Sequence, residues 1–455
     1  VNSSGNALPA AKVLNGSVPS SDPVAPSCAI EFECYEGMLV QVTNGTVTGG
    51  NLSFGSDPVA EVPVTAATSR TFREPGLEYP GVGGSIPTWD GNPEVFELDP
   101  DKLGLASAII PGGSSFTVTG VIGFEFGDYE IWPTSLVVSE AVIPRAVRTR
   151  IAGETTVGSL NLFRFATDGE YTTRLSKLSL YIRTVLLSPD VLAVQEADSI
   201  IALQDLADQI IADDAGVIYT PYLIEGNDFG GIDVGFLVRS DVDVDAVTQL
   251  GADETFYYDD SLLHDRPPLF LEGRYTGNGK DFPIAVMVIH NRSLNSIETE
   301  RVQLKRLAQA ESIAAKVQDF QVNNPAIPLV VVGDYNAYEF TDGYADVVGH
   351  IKGEFNPAES LQSGQDLVEP NLINQIDLLP ANERYSYVFE GNAQALDHAL
   401  TSQSAAPWLR GMQYGRGNAD AAENLILDPT TAAASSDHDG LVVYLMTDYD
   451  GDGVA

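Results

Sequence analysis

Polar side chains that could bind a metal ion or transfer a proton stand inside or next to apolar runs from residue 157 onward. They are Asn161, Glu196, His290, Asp334, Asn336, Asp397, His398, Asp437 and His438. Carboxylate and amide oxygens suit a hard divalent cation such as Mg²⁺ or Mn²⁺, and an imidazole near a carboxylate suits general acid–base work around neutral pH. Each motif alone has a plainer reading as a turn, a helix cap or a structural histidine. Together they predict one site, because ligand sites of α/β sheets form where strand ends converge.

The apolar runs that carry these side chains alternate with stretches of helical periodicity. Predicted strands cover residues 157–165, 191–195, 232–238, 284–289, 329–332, 396–400 and 441–445. Predicted helices have apolar faces formed by Leu175, Leu178, Ile182 and Val185, by Ile200, Leu203, Ala207 and Ile210, and by Leu304, Leu307, Ala310, Ala314 and Val317. Strands buried under helices indicate an α/β domain, which we place at residues 150–447.

The region ahead of this domain has a different pattern. Across residues 30–143, short runs of alternating hydrophobicity are separated by Gly and Pro, which predicts a small all-β barrel or sandwich similar to oligonucleotide-binding barrels. Residues 1–29 are rich in Ser, Asn, Ala and Pro and predict an extended lead-in. One stretch of the β region is rich in aromatic residues, which either pack in the core or bind single-stranded nucleic acid. Its members are Phe124, Phe126, Tyr129 and Trp132.

The composition bounds the class of protein and its partners. The chain has 455 residues, which favours two or three domains, and its 44% hydrophobic content excludes a disordered chain. It has no apolar run of about 18 residues, so we expect no membrane span. With 24 basic and 64 acidic residues the net charge is −40, which repels polyanions and predicts weak binding to DNA in the absence of divalent metal.

Residues near the two ends of the sequence indicate the cellular compartment of the protein and a candidate calcium site. Cys28 and Cys34 are close in sequence and favour a disulfide in a secreted or periplasmic protein, with two free cytosolic thiols as the alternative. The first residues lack a signal peptide, which predicts a mature or trimmed form. At residues 448–455, Asp448, Asp450 and Asp452 precede a Gly at the sixth position, as in the first half of a Ca²⁺ loop. A simple acidic tail is the alternative.

Several segments resemble, in order, signature blocks of the endonuclease/exonuclease/phosphatase superfamily, which includes deoxyribonucleases. They are Gln195-Glu196, Gly333-Asp334-Tyr335-Asn336-Ala337, Leu396-Asp397-His398-Ala399-Leu400 and Ser436-Asp437-His438-Asp439. The stretch Tyr385-Ser386-Tyr387-Val388-Phe389 followed by Gly391 is similar to a subgroup of large secreted bacterial nucleases that also carry a β-rich domain ahead of the catalytic one. The resemblance implies a deoxyribonuclease-like, two-sheet, four-layer α/β sandwich with its site at one rim.

The resemblance also implies a role for each polar position. Metal ligands are implied at Asn161, Glu196 and Asp437, and catalytic residues at His290, Asp334, Asn336, Asp397 and His438. In this scheme His438, oriented by Asp397, activates water. Asp334 and Asn336 position the nucleophile and the phosphate, and His290 contacts the phosphate and helps to protonate the leaving group.

Two further residues are candidates for substrate binding. Arg292 follows His290 where the related nucleases have Lys-Ser, and a guanidinium can bind phosphate bidentately. Asp233 lies inside an apolar strand, where a carboxylate is costly unless paired, so it either lines the site or supports a neighbouring loop.

The sequence therefore favours a secreted, divalent-metal-dependent phosphodiesterase, a nuclease that hydrolyses extracellular DNA or RNA and binds it weakly. One alternative keeps the chemistry and changes the substrate to small-molecule or lipid phosphoesters. A second alternative is a non-catalytic binding protein.

Overall fold

The computed structural model describes residues 9–23, 32–55, 57–167 and 169–447. The predicted disulfide includes Cys28, and the predicted Ca²⁺ loop consists of Asp448, Asp450 and Asp452. These residues lie outside the described ranges, so both features stay predictions. Among the described helices, none combines the length and the apolar character that crossing a bilayer requires.

The N-terminal unit is built from β-strands. They are β1 (Lys12–Leu14), β2 (Leu39–Val47), β3 (Val62–Thr65), β4 (Leu77–Glu78), β5 (Thr88–Trp89), β6 (Val95–Leu98), β7 (Ser115–Glu125) and β8 (Asp128–Ser139). Strand β2 pairs with β3 and also with β7, so β2, β3, β6, β8 and β7 form a closed ring of hydrogen-bonded neighbours. Alternate side chains such as Val40, Val42, Val118 and Ile131 point into the ring and are buried. This region therefore forms a small β-barrel with its own apolar core.

The second unit alternates strands and helices. Its strands are β9 (Glu154–Phe165), β10 (Val191–Ala197), β11 (Tyr219–Leu223), β12 (Asp233–Arg239), β13 (Val242–Gln249), β14 (Leu269–Tyr275), β15 (Phe282–His290), β16 (Leu329–Asp334), β17 (Ile373–Asn374), β18 (Tyr387–Phe389), β19 (Asn392–Gln394), β20 (Asp397–Thr401), β21 (Leu409–Tyr414) and β22 (Leu441–Met446). Its helices are α1 (Tyr171–Thr184), α2 (Ile200–Asp213), α3 (Glu300–Asn323) and α4 (Val347–Lys352).

Most of these strands form two mixed six-stranded sheets. The first has the order β11-β12-β10-β9-β22-β21 and the second the order β13-β14-β15-β16-β20-β17. One apolar cluster joins the facing sides of the two sheets and includes Val157, Phe236, Val286 and Val330. The α/β class predicted from the sequence is confirmed.

The helices pack on the outer sides of the two sheets. Leu178 of α1 and Leu203 of α2 share a cluster with the first sheet, and Ile313 of α3 shares one with the second. In helix α2 the buried residues recur at spacings of three and four, so they lie on one face of the helix. This one-sided burial explains why the hydrophobic periodicity predicts the helix. The Ser199 hydroxyl accepts a hydrogen bond from the Ala202 amide at 3.3 Å and caps this helix.

Candidate active site

Strand register brings three of the predicted residues to one edge of the second sheet. Strands β15 and β16 are parallel, and His290 lies opposite Asp334. Strand β20 runs antiparallel to β16, and Asp397 lies opposite the same Asp334. All three side chains are buried. The convergence of strand ends that the sequence predicts is therefore present.

On the first sheet an irregular strand end turns two further residues toward the same edge. Asn161 lies opposite Gln195, and the ladder between β9 and β10 then slips, so that Glu196 stands in a bulge with φ of 62°. Bulges of this kind re-aim a side chain. The backbone amides of Phe163 and Arg164 donate to Asn161 Oδ1 at 2.9 Å and to Glu196 Oε2 at 2.8 Å. The strand end thus holds both side chains in fixed orientations.

The two sheets meet in a cluster of carboxylate, amide and imidazole groups. Asn161 Nδ2 lies 3.3 Å from Glu196 Oε1 and 3.2 Å from Asp334 Oδ2. His290 Nε2 lies 3.8 Å from the same oxygen of Glu196 and 3.5 Å from the same oxygen of Asp334. The structure thus brings together the predicted metal ligands Asn161 and Glu196 with the predicted catalytic residues His290 and Asp334.

Beside this cluster His438 and Asp397 form a buried hydrogen-bonded pair. His438 Nδ1 lies 2.7 Å from Asp397 Oδ2. Burial alone would lower the pKa of His438, but the Asp397 and Asp437 carboxylates outweigh it and hold that pKa well above its usual value. The hydrogen bond fixes the ring orientation and leaves Nε2 as the atom that faces away from Asp397.

Asn336 is tied to this cluster through its backbone and its side chain. Its amide donates to Asp334 Oδ1 at 2.8 Å, and its Nδ2 donates to Asp334 Oδ2 at 3.2 Å and to the Asn291 carbonyl at 3.1 Å. Asn336 has φ of 48°, a left-handed conformation that Asn adopts more readily than most residues. The predicted pair of Asp334 and Asn336 is therefore a single rigid turn.

The charge of the cluster fits a divalent cation. Burial raises the pKa of Asp334 to about 7, although the charge of His438 acts in the opposite direction, and burial also raises the pKa of Asp437. Burial has this effect because it disfavours the ionised form of a carboxyl group, and a nearby cation favours that form. Carboxylate and amide oxygens are the donors that suit Mg²⁺ or Mn²⁺.

One group of possible ligand atoms in the described part of the chain differs from the predicted ligand set. It consists of Asp334, Asp397 and His438, whose ligand atoms all lie within 4.8 Å of one another. Two of these atoms belong to the hydrogen-bonded pair, whereas Asp334 also contacts Asn161. Asp334 therefore joins the predicted Asn161, Glu196 and Asp437 as a candidate ligand.

Two predicted substrate-binding residues contact neighbouring loops. Asp233 is buried and accepts a hydrogen bond from the Gly226 amide at 2.8 Å, and burial raises its pKa to about 7. This matches the loop-supporting role that the sequence left open. The Arg292 guanidinium donates to Ser293 Oγ at 3.1 Å and to the Asn295 carbonyl at 3.2 Å, so it braces its own turn.

The third histidine of the sequence motifs has a structural role. His398 is fully buried, with Nε2 2.8 Å from the Ala337 carbonyl and Nδ1 3.3 Å from Asn374 Nδ2. Both ring nitrogens therefore have protein partners. His398 holds the segment that follows Asn336 against β20.

Two arginines near the cluster were not found by sequence reasoning. Arg266 donates to the carbonyls of His290 at 3.2 Å and Asn291 at 2.8 Å. Arg174 lies in α1, and burial lowers its pKa although the nearby Asp437 and Glu196 carboxylates act in the opposite direction. Neither arginine belongs to a motif, and only the folded chain brings them to the site.

A fully exposed aromatic residue stands on a loop joined to the site. Phe229 has its whole side chain in solvent, while the adjacent Asp228 accepts a hydrogen bond from Arg266 Nη1 at 3.0 Å. The same Arg266 binds the backbone of His290 and Asn291. The loop that carries Phe229 is therefore fixed relative to the site, although the Phe229 side chain is exposed to solvent.

Comparison with known proteins gives a family match for the barrel region. Residues 7–142 match a family model described as a domain of unknown function (DUF8508). No curated protein sequence matches the chain.

Solved structures of the endonuclease/exonuclease/phosphatase fold are similar to about two thirds of the chain. Truncated Caenorhabditis elegans TDP2 is 16% identical with a TM-score of 0.42, and the likeness covers 64% of this chain and 98% of that one. The human Nocturnin catalytic domain with bound sulfate is 17% identical with a TM-score of 0.41, covering 65% and 96%. An endonuclease/exonuclease/phosphatase from Bacteroides vulgatus is 12% identical with a TM-score of 0.42, covering 64% and 98%. At these values only the chain's own side chains can indicate its reaction.

Proposed function

We propose that this protein is a secreted, divalent-metal-dependent phosphodiesterase that hydrolyses nucleic acid, with DNA as its main substrate and RNA as a second one. The observation that carries the proposal is the His438–Asp397 pair beside the cluster of Glu196, Asp334, Asn161 and His290. Phosphodiester hydrolysis needs an oriented water, a group that accepts its proton and neutralisation of phosphate charge. Each need has a matching group among these residues.

His438 is the proposed general base. Asp397 holds its Nδ1 atom, so Nε2 is the atom that can accept a proton from water. The surrounding carboxylates hold the His438 pKa high. Neutralising the charge of Asp437 and Asp334 would weaken that field and leave Nε2 free to accept the proton.

A divalent cation would be held by Glu196 and Asp334, with Asp437 nearby, and when bound it would neutralise phosphate charge. Asn161 would join them through Oδ1, with its amide turned from the orientation in which Nδ2 faces the two carboxylates. Asn336 is fixed by Asp334 and presents its amide group at the same edge. Burial, together with the charge of Arg266, holds the pKa of His290 well below its usual value. We therefore assign His290 the role of a neutral hydrogen-bond donor to the phosphate, in place of the proton donor that the resemblance implies.

A second candidate is hydrolysis of small or lipid phosphoesters. It is motivated by the net charge of −40 and by Arg292, whose guanidinium bonds to its own turn. A non-catalytic binding protein is disfavoured, because the predicted acid–base pair lies beside the ligand cluster.

The test is to incubate the protein with plasmid DNA, bis-p-nitrophenyl phosphate and mono-p-nitrophenyl phosphate, each with Mg²⁺ or Mn²⁺. We expect cleavage of DNA and of the diester, and loss of both activities in His438→Ala. Cleavage of the small esters with DNA left intact would reject the nuclease and favour the second candidate. Absence of activity with every substrate and metal would reject both.

A further inference from the structure

The segment 385–394, here called the site hairpin, contains β18 and β19 and touches the acid–base pair. The Ser386 hydroxyl donates to Asp397 Oδ2 at 2.7 Å, the same oxygen that bonds His438. The Ser386 carbonyl accepts a hydrogen bond from the Asp439 amide at 2.8 Å. The ring of Tyr387 lies 4.8 Å from the His438 ring. The orientation of the pair therefore depends on where this hairpin sits.

The opposite side of the site hairpin is hydrogen-bonded to the β-barrel. The Arg73 amide donates to the Ala393 carbonyl at 2.9 Å, and the Ala393 amide donates to the Thr71 carbonyl at 3.1 Å. The Thr71 hydroxyl donates to the Gly391 carbonyl at 3.1 Å. Asn92 Nδ2 lies 2.6 Å from Asn392 Oδ1. The backbone of residues 71–73 in the barrel region thus pairs with Ala393 of the hairpin, much as a neighbouring strand would.

The turn of the hairpin fits closely against the barrel. Gly391 has φ of 72°, and a Cβ atom there would lie 2.8 Å from Thr48 Oγ1, 2.8 Å from Val95 Cγ1 and 2.9 Å from Pro63 Cβ. All three neighbours belong to the barrel. Only glycine satisfies both the backbone conformation and the space.

A buried charge network connects the barrel to the base of the hairpin. Arg70 Nη1 of the barrel lies 2.8 Å from Asp420 Oδ1, and the Tyr385 hydroxyl donates to Asp420 Oδ2 at 2.7 Å. Arg416 Nη1 then donates to the Tyr385 carbonyl at 2.6 Å and lies 3.1 Å from Asp439 Oδ2. Removing one member of such a network is costly, so it fixes the barrel in one position.

We propose that the β-barrel is a positioning unit of the active site, which holds the site hairpin so that Ser386 and Tyr387 fix the His438–Asp397 pair. This inference rests on the proposed function, in which that pair is catalytic. It assigns a role to the region that matches the domain of unknown function. Thr71 and Asn92 are positioning residues, because they reach the pair only through the hairpin.

The experiment uses the full chain with the paired substitutions Thr71→Val and Asn92→Gly. Glycine is chosen because Asn92 has φ of 49°, which alanine would strain. The control is Thr134→Val, which removes a hydroxyl-to-backbone bond, 3.0 Å to the Thr119 carbonyl, at an exposed position elsewhere in the barrel. One readout is kcat and KM for DNA. The other is the ¹H resonance of the His438 Nδ1 proton, assigned by its loss in His438→Ala.

We expect the double variant to lose about tenfold or more in kcat with KM changed by less than about twofold, since misplacing a catalytic group reduces turnover more than binding. Its Nδ1 proton resonance should broaden or shift, and the control should retain both properties. A folded double variant with unchanged kcat and an unchanged Nδ1 resonance would overturn the proposal.

Two further comparisons cover the remaining cases. If the double variant does not fold, Thr71→Val is compared with Thr71→Ser, which retains the hydroxyl and should restore the Nδ1 resonance. Equal spectra for these two would also count against the proposal. If the unmodified protein hydrolyses no phosphoester, the proposed function fails, while the resonance still decides whether the barrel positions the pair.

Discussion

His438 Nδ1 and Asp397 Oδ2 lie 2.7 Å apart, and the Ser386 hydroxyl donates to the same carboxylate oxygen at the same distance. The imidazole therefore has one fixed orientation, because its partner is itself held from a second side. A carboxylate held in this way orients a histidine and stabilises its protonated form without taking the proton.

Replacing His438 by alanine should abolish turnover and leave the fold intact. We expect kcat to fall by about 10²–10⁶-fold, the range seen when single catalytic groups are removed. The measurement is hydrolysis of plasmid DNA, with circular dichroism and thermal unfolding to confirm the fold. Turnover near that of the unmodified protein would remove His438 from the mechanism.

Glu196→Gln should weaken the response to divalent metal. The amide keeps the shape of the side chain and removes the charge that, with Asp334, favours a cation. We expect a higher Mg²⁺ or Mn²⁺ concentration for half-maximal activity and weaker binding by calorimetric titration of the metal alone. Glu140→Gln, at an exposed position of the barrel, changes the net charge equally and serves as control. Identical metal titrations for the two variants would exclude Glu196 as a ligand.

Phe229→Ala should separate polymeric from small substrates. The side chain is fully exposed on a loop that Arg266 ties to the backbone of His290. An exposed aromatic ring there can stack on a base of a bound strand, which is worth about 1–3 kcal/mol. We expect KM for DNA to rise and the rate with bis-p-nitrophenyl phosphate to stay the same. Equal effects on both substrates would argue against stacking.

The barrel should lose stability as the pH rises from about 4.5 to about 7 because of Glu97. Burial raises its pKa to about 7 from 4.5, and Asp128 and Glu61 add to the effect. The folded state therefore binds more protons than the unfolded chain between these two values, and stability falls as the pH rises through that window. Glu97→Gln should have a higher melting temperature than the unmodified protein at pH 8 and the same one at pH 4. Equal melting temperatures at pH 8 would contradict this.

Binding to long DNA should depend on divalent metal. The net charge of −40 opposes approach of a polyanion, and divalent cations can screen or bridge that repulsion. We expect little retardation of DNA on gels with a chelator present, and more when Ca²⁺ is added. Tight binding without metal would show that local cationic groups such as Arg266 outweigh the global charge.

The buried strands were predictable from sequence, and the edge strands were not. The apolar run at 284–289 corresponds to β15, with burial on both faces, and the run at 157–165 corresponds to most of β9. Strands β13 and β21 have many exposed side chains, so they lack the continuous apolar signal. Helix α4 spans only Val347–Lys352, too short for periodicity to emerge.

The candidate site was predictable where its residues end buried strands. His290, Asp334 and Asp397 lie at one edge because of the strand register. The apolar runs of the sequence predict the three strands that carry them. Arg266 and Ser386 reach the site through loop and hairpin geometry that no local pattern encodes. The resemblance assigns a role to His438 and none to the neighbouring motif histidine His398, whose Nε2 lies 2.8 Å from the Ala337 carbonyl.

Strand β22 pairs with β9 on one side and β21 on the other, and its Leu441 lies opposite Ser159. During synthesis on the ribosome, β9 emerges long before the strand that completes its sheet, at roughly 5–20 residues per second. Its open edge meanwhile presents unpaired backbone groups beside apolar side chains, the kind of surface that templates aggregation. We therefore expect slow folding, in which the first sheet and the edge that holds Asn161 become native only after almost the whole α/β region has been synthesised.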